Sequence, residues 1–191
     1  MYNFLNQIFA SILFIIFLPV KILISLFLLI NIGRPIIFKQ RRSGFKGKSF
    51  YLYKFRTMTI NKNKNDLNRV YKSTLFLRNS RLDELPQLIN IIKGDLNFVG
   101  PRPLLPEYNR LYNKTQIKRL DVMPGITGWA QVNGTNNISW SKKFKLDIWY
   151  VENKSVMFDL KIIYLTIVFI FKKFMGNKDK NIIVKKFNGK N

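Results

Sequence analysis

Cysteine and histidine are both absent from this 191-residue chain, and only ten of its residues are acidic. Without cysteine there is no disulfide, no thiolate nucleophile and no zinc–thiolate site. Without histidine, the usual general base and the commonest transition-metal ligand are gone. Any chemistry therefore rests on carboxylates, lysine, arginine, tyrosine and hard, oxygen-bound cations such as Mg²⁺. The length allows one domain with a real core and leaves no room for a second, since domains commonly run to roughly 100–200 residues.

Positive charge is abundant instead. The 33 Lys+Arg residues give a formal charge of +23, well beyond the roughly 2–8 of a small soluble domain. A polyanionic partner is implied: nucleic acid, an anionic bilayer or phosphorylated substrates. Twelve cations fall between Arg34 and Lys72, against the single acid Asp66. They form a basic belt suited to anionic headgroups, each cation contributing on the order of 1 kcal/mol at such a surface.

The belt follows an almost wholly apolar run, Ile8 to Ile32, long enough for the roughly 20 residues that cross a bilayer as a helix. Pro19 and Lys21 interrupt it. Proline breaks the helical hydrogen bonding, and a straight span would carry the lysine near the bilayer centre. A spanning helix and a broken, re-entrant hairpin both remain open. Met1 to Ala10 has no Lys or Arg, so the positive-inside rule keeps the basic side cytoplasmic. The uncharged start, the length of the run and the lack of an A-x-A-like site argue against a cleaved signal peptide.

Further along, Leu82, Leu85, Leu88, Ile89 and Ile92 recur at helical spacing up to Lys93-Gly94, where glycine is expected just past a helix end. Pro86 fits only the first turn. Val99 to Pro103 and Pro124 to Gly134 read as ordered loops, because Trp, Ile and Val sit among the turn formers. A helix follows over Ser141 to Val151. The apolar run Ile162 to Phe171 is too short to span and reads as an interfacial or core-packed helix. Asn61 to Asn68 reads as a mobile loop, and the basic tail from Gly176 as frayed. The expected fold is α+β and mainly helical. A re-entrant membrane helix–break–helix (1–33) leads into a small cytoplasmic-face catalytic domain with interfacial amphipathic helices (34–175), then a basic flexible tail (176–191).

Leu82-Asp83-Glu84-Leu85-Pro86-Gln87 places two carboxylates at a helix start, where unpaired N–H groups favour anions. A helix cap is one reading. The other is a carboxylate acting as nucleophile towards phosphorus or as Mg²⁺ ligand, in a chain with few acids and many cations. Arg102 lies between Pro101 and Pro103, which pre-order the backbone of a guanidinium suited to phosphate or to a structural carbonyl or carboxylate. Lys54-Phe55-Arg56-Thr57-Met58 alternates as a strand does, with one face buried and the other meeting phosphates or the lipid surface.

These pieces together resemble the bacterial sugar transferases, the monotopic polyprenyl-phosphate phosphoglycosyl transferases in their minimal catalytic form. The resemblance runs through Gly33-Arg34-Pro35 to Gln40 with Arg42 and Gly44, Tyr53 to Met58, and Leu82 to Leu88. It continues over Lys93-Gly94-Asp95, Val99 to Pro103, Pro124 to Gly134 and Lys143 to Val151, in the family's order. It implies a two-step exchange in which Asp83 attacks the sugar-bearing phosphorus of a UDP-sugar, expels UMP and passes the phosphosugar to polyprenyl (undecaprenyl) phosphate. By position Glu84 binds Mg²⁺ and Arg102 binds phosphate, with Lys54, Arg56 and Asp147 as further substrate-binding candidates. The implied place is the cytoplasmic face of a bacterial inner membrane, in the first membrane step of glycoconjugate synthesis, against anionic lipid. A homodimer is left open. One departure stands out: where the family commonly has Ser-Pro at the helix break, this chain has Leu18-Pro19.

The resemblance fits the composition. A phosphate monoester, with a second pKa near roughly 6, is largely ionised at neutral pH and needs no histidine to activate it. A membrane-tethered nucleic-acid binder would explain the charge, but no recognition-helix motif is present and no nucleic-acid partner is expected. A non-catalytic scaffold would not need the acidic pair or the Pro-Arg-Pro turn.

Overall fold

The computed structural model describes residues 2–59, 70–134, 138–175 and 186–189. The loop expected over 61–68 lies outside them. Helices α1 (Tyr2–Ile16) and α2 (Leu18–Ile32) meet at a 60° bend beside Pro19. Proline has no N–H to continue the α1 ladder, which leaves carbonyls in its last turn unpaired. Lys21 closes the break. Its Nζ donates to the Phe14 carbonyl at 2.9 Å and lies over the Phe14 ring, a cation at a helix C-terminus.

Among the described residues no single helix is long and apolar enough to cross a membrane; the bent pair meets that test only together. Both arms return to the same globular body. On α1, Gln7 Nε2 donates to the Ile92 carbonyl at 3.3 Å and Phe9 packs edge-on against Phe98. On α2, Ile24 and Leu28 pack with Phe55 and Leu77. The fold is therefore mainly helical α+β with an N-terminal helix–break–helix, as expected.

The body begins with an antiparallel hairpin, β1 (Ile37–Ser43) and β2 (Ser49–Phe55), in which Phe38 faces Lys54 and Gln40 faces Leu52. Alternation sends Leu52 towards Ala10, Leu88 and Ile91 and Phe55 towards α2. After α3 (Leu75–Asn79), the helix expected over Leu82 to Ile92 arrives in two pieces, a 3₁₀ turn Leu82–Gln87 and α4 (Leu88–Ile92). Pro86 cannot make an i−4 bond, so the first part takes the tighter form. The fully buried Asn90 fixes α4 to β2, accepting from Tyr53 N at 3.1 Å and donating to Tyr51 O at 2.7 Å.

The two ordered loops are joined in a way their sequences do not signal. Strands β3 (Asn97–Val99) and β4 (Gly125–Thr127) pair in parallel, Asn97 opposite Gly125 and Val99 opposite Thr127. A Cβ on Gly100, Gly125 or Gly128 would overlap the backbone of the opposite segment. The glycines thus permit the close crossing.

Next come α5 (Trp129–Val132), α6 (Trp140–Glu152) and α7 (Val156–Phe174). Serines cap the last two: Ser139 Oγ accepts from Lys142 N at 3.3 Å and Ser155 Oγ from Phe158 N at 3.2 Å. One side of α7 joins Val99 and Tyr150 through Ile162, while Leu160, Tyr164, Ile167 and Phe171 stay exposed. That outward apolar stripe matches the expected interfacial helix.

Where the tail is described, it is packed: Phe187 is buried against Tyr108, Trp140 and Phe144, with ring centroids 4.9–5.7 Å away. The basic composition around it concealed a single aromatic with a large apolar surface to bury.

Candidate active site

Asp83 and Glu84 lie in the 3₁₀ turn, 8% and 7% exposed. Neither acts as a cap, because the N-cap position belongs to Arg81 and no side chain caps the turn. The two carboxylates are treated differently. Glu84 Oε1 accepts from Lys54 Nζ at 2.6 Å and from Arg81 Nη1 at 3.3 Å. Asp83 Oδ1 is buried with no hydrogen-bond partner among the described residues.

Electrostatics separates the pair further. Burial pushes Asp83 above the usual carboxylate range and the Glu84 charge adds to this, while Lys54, Arg78 and Arg81 pull back. Burial alone would also raise Glu84, but Lys54, Arg102 and Arg81 outweigh it and bring the pKa to about 2. Glu84 is thus a fixed, hydrogen-bonded anion. Asp83 is the more basic carboxylate, with a bare oxygen, which suits it to nucleophilic attack. Paired acids driven apart by their surroundings mark a division of chemical labour.

Lys54 reaches the site because β2 alternation turns it to the side that carries Leu52, against the acidic turn. Burial lowers its pKa, opposed by the Glu84 carboxylate. Arg102 lines a cleft with Arg42, Lys54 and Gln87 on one side and a cavity with Arg81 and Glu84 on the other. Its backbone is held from three directions. Arg119 Nη2 donates to the Arg102 carbonyl at 2.7 Å, Arg42 Nη1 to the Pro103 carbonyl at 3.3 Å, and Ser43 N to the Leu104 carbonyl at 2.8 Å. Burial and the nearby Arg102 charge lower Arg42 to about 10.

Asp83, Glu84, Lys54 and Arg102 therefore lie together. Arg56 and Asp147 do not join them. Strand β2 ends at Phe55, and the Arg56 guanidinium donates to the Ile32 and Gly33 carbonyls at 2.9 and 2.7 Å, holding the C-terminus of α2. Asp147 is buried on α6, where its Oδ2 accepts from Arg119 Nε at 3.0 Å and Nη2 at 2.9 Å. It stands one residue behind Arg102, through Arg119. Arg81 and Arg119 were missed in the sequence because nothing local distinguishes them among 33 cations.

No cluster of three or more metal-ligating side chains occurs among the described residues. Mg²⁺ does not require one, since it commonly takes one or two carboxylates plus substrate phosphates. The unpartnered Asp83 oxygen and the neighbouring Glu84 form a donor set of that kind.

The sequence profile of the bacterial sugar transferases matches residues 1–173. The chain belongs to the bacterial sugar transferase family. With the family and the bent helix pair together, the transferase is membrane-associated with its body on the cytoplasmic side. Over 143 residues it is 54% identical to the uncharacterized sugar transferase EpsL of Bacillus subtilis, covering 72% of this chain and 71% of that one. Over 183 residues it is 38% identical to the UDP-glucose:undecaprenyl-phosphate glucose-1-phosphate transferase of Escherichia coli, covering 87% of this chain. The exopolysaccharide production protein ExoY of Rhizobium meliloti is 34% identical over 181 residues, 83% of this chain and 80% of ExoY. The transferase spans only 39% of the length of the Escherichia coli relative.

Proposed function

We propose that the transferase is a phosphoglycosyl transferase that moves a sugar 1-phosphate from a UDP-sugar to polyprenyl phosphate and releases UMP. The division of the acidic pair carries this reading: one buried carboxylate has a bare oxygen and raised basicity, beside a second that is permanently charged. The names of the undecaprenyl-phosphate relatives support the substrate classes.

In the first step Asp83 Oδ1 attacks the phosphorus that bears the sugar. A P–O bond to Asp83 forms, the pyrophosphate P–O bond breaks, and the electron pair leaves with UMP. In the second step a phosphate oxygen of the acceptor attacks the same phosphorus and the bond to Asp83 breaks, which regenerates the carboxylate. Neither step requires a proton acceptor, because both attacking groups are anions at neutral pH. Lys54 and Arg102 neutralise phosphate charge, in the way that phosphoryl transfer is generally catalysed. Mg²⁺, held by Glu84 with Asp83 beside it, would supply further charge neutralisation on the phosphates.

Incubating the protein with a panel of UDP-sugars and Mg²⁺, without acceptor, tests the reading. The expected result is UMP release with one phosphosugar added to the intact mass. Asp83→Asn should abolish both, and an adduct on that variant would refute the nucleophile assignment. The productive UDP-sugar in the panel identifies the donor.

A further inference from the structure

The cavity on the Arg81 side of Arg102 has a volume of about 220 Å³ and walls that are almost wholly apolar. Leu88 and Phe98, Ile126 of β4, and Phe169 and Ile170 of α7 form them. Its charged residues are Arg81, Glu84 and Arg102. An apolar groove carrying two guanidiniums, lined by Glu84, the neighbour of Asp83 in the chain, is complementary to a lipid with an anionic head. We propose that this groove seats the acceptor: its isoprenoid chain lies along the apolar wall, and its monoester phosphate meets Arg81 and Arg102. The inference rests on the phosphoglycosyl transferase reading and deepens it.

The volume falls below the roughly 300–1,000 Å³ of a pocket that encloses a whole small ligand. The groove therefore holds only the part of a long chain next to the phosphate. For the remainder, the helix that supplies Phe169 and Ile170 offers the exposed apolar side chains of Tyr164, Ile167 and Phe171 on its outer side. The much smaller cleft on the opposite side of Arg102 mixes Arg42, Lys54 and Gln87 with Leu52, Pro103 and Ile126.

Arg81 provides the independent sign. Its backbone is left-handed, with φ 60° and ψ 13°, between α3 and the acidic turn. Glycine adopts that conformation freely, whereas a side chain there carries a steric cost. An arginine held in a glycine-like conformation, pairing with Glu84 at 3.3 Å and lining the groove, points to a requirement for its guanidinium.

Arg81→Gly should therefore melt at an unchanged or higher temperature in detergent, yet raise the KM for undecaprenyl phosphate about ten- to hundred-fold, the range for losing a charge-assisted hydrogen bond. The KM for the UDP-sugar should stay within about two-fold. Arg81→Lys should recover part of the loss. Ile170→Trp, which fills the groove from α7, should raise the same acceptor KM at least ten-fold. An acceptor KM unchanged in both Arg81→Gly and Ile170→Trp overturns the proposal.

Binding is tested without turnover by a polyprenyl phosphate bearing a benzophenone near its first isoprene unit. It should label the α7 peptide around Phe169 and Ile170, and unlabelled undecaprenyl phosphate should compete while phosphatidylglycerol vesicles do not. Labelling elsewhere, or equal competition by phosphatidylglycerol, would overturn the groove assignment. Failure of every UDP-sugar to release UMP would refute the proposed activity, leaving the labelling result to decide the groove.

Discussion

Removing Arg119 should be far more damaging than removing any surface arginine. Arg119 and Asp147 are 3% and 4% exposed, and the guanidinium lies about 5.8 Å from the Tyr112 and Phe144 ring centroids. Arg119→Met leaves the Asp147 carboxylate buried without its counter-ion, at a cost of about 3–5 kcal/mol. The Arg102 carbonyl also loses its 2.7 Å donor, worth about 1 kcal/mol more. For a chain of this size each kcal/mol is about 2–4 °C in Tm, so the expected loss is at least about 8 °C. Asp147→Leu should cost a similar amount. The double variant Arg119→Met with Asp147→Leu should recover most of the loss, because replacing a whole buried ion pair by apolar groups is often close to neutral. Thermal unfolding in detergent, followed by tryptophan fluorescence, measures all three. The double variant separates stability from function: it should fold but release UMP at least about ten-fold more slowly, since the Arg102 turn has lost a tether. A loss under about 3 °C for Arg119→Met, or additive losses in the double variant, would refute the reasoning.

Three further outcomes follow from the site and the core. Burial and the Glu84 charge raise the Asp83 pKa, so UMP release should fall on the acid side at a pH above the ordinary aspartate value. Lys54→Met, which removes a cation that pulls Asp83 down, should move that limb to higher pH; an unmoved limb contradicts the assignment. Glu84 has a folded pKa of about 2 against an ordinary 4.5. It therefore contributes stability above pH 4.5 that is lost as the pH falls towards 2, and melts of Glu84→Gln should lack that acid-side loss. Phe187→Ala should cost about 3 kcal/mol, in the range for deleting a buried phenyl ring, and a shift below about 1 kcal/mol in denaturant melts would place the tail outside the core.

Much of the site was legible because it is local. Asp83 and Glu84 are adjacent in the chain, Pro86 dates the start of their turn, and Pro101 and Pro103 bracket Arg102. Period-2 alternation put Lys54 opposite Phe55, and the structure uses each face of β2 as that alternation implies. Arg56 lay beyond its reach, because the rule stops where the strand stops. Just past Phe55 the guanidinium finds the free carbonyls of α2 instead of a phosphate.

The sequence by itself determined the chemistry available and the place it occurs. Lacking histidine and cysteine, the chain can use no imidazole base and no thiolate nucleophile, and its apolar N-terminus followed by a basic belt sets it at a membrane. Those properties belong to residue types and to runs of neighbours, so they survive without a fold. Tertiary structure alone decided how the surroundings of the two acids differ. Asp83 and Glu84 are near-identical groups one residue apart, and they differ because Lys54, thirty residues away, reaches one and leaves the other bare. The same holds for Asp147, drawn to Arg119 rather than to substrate, and for the left-handed turn that brings Arg81 to the apolar groove. Distances between residues far apart in the chain set these charges, and no local pattern encodes them.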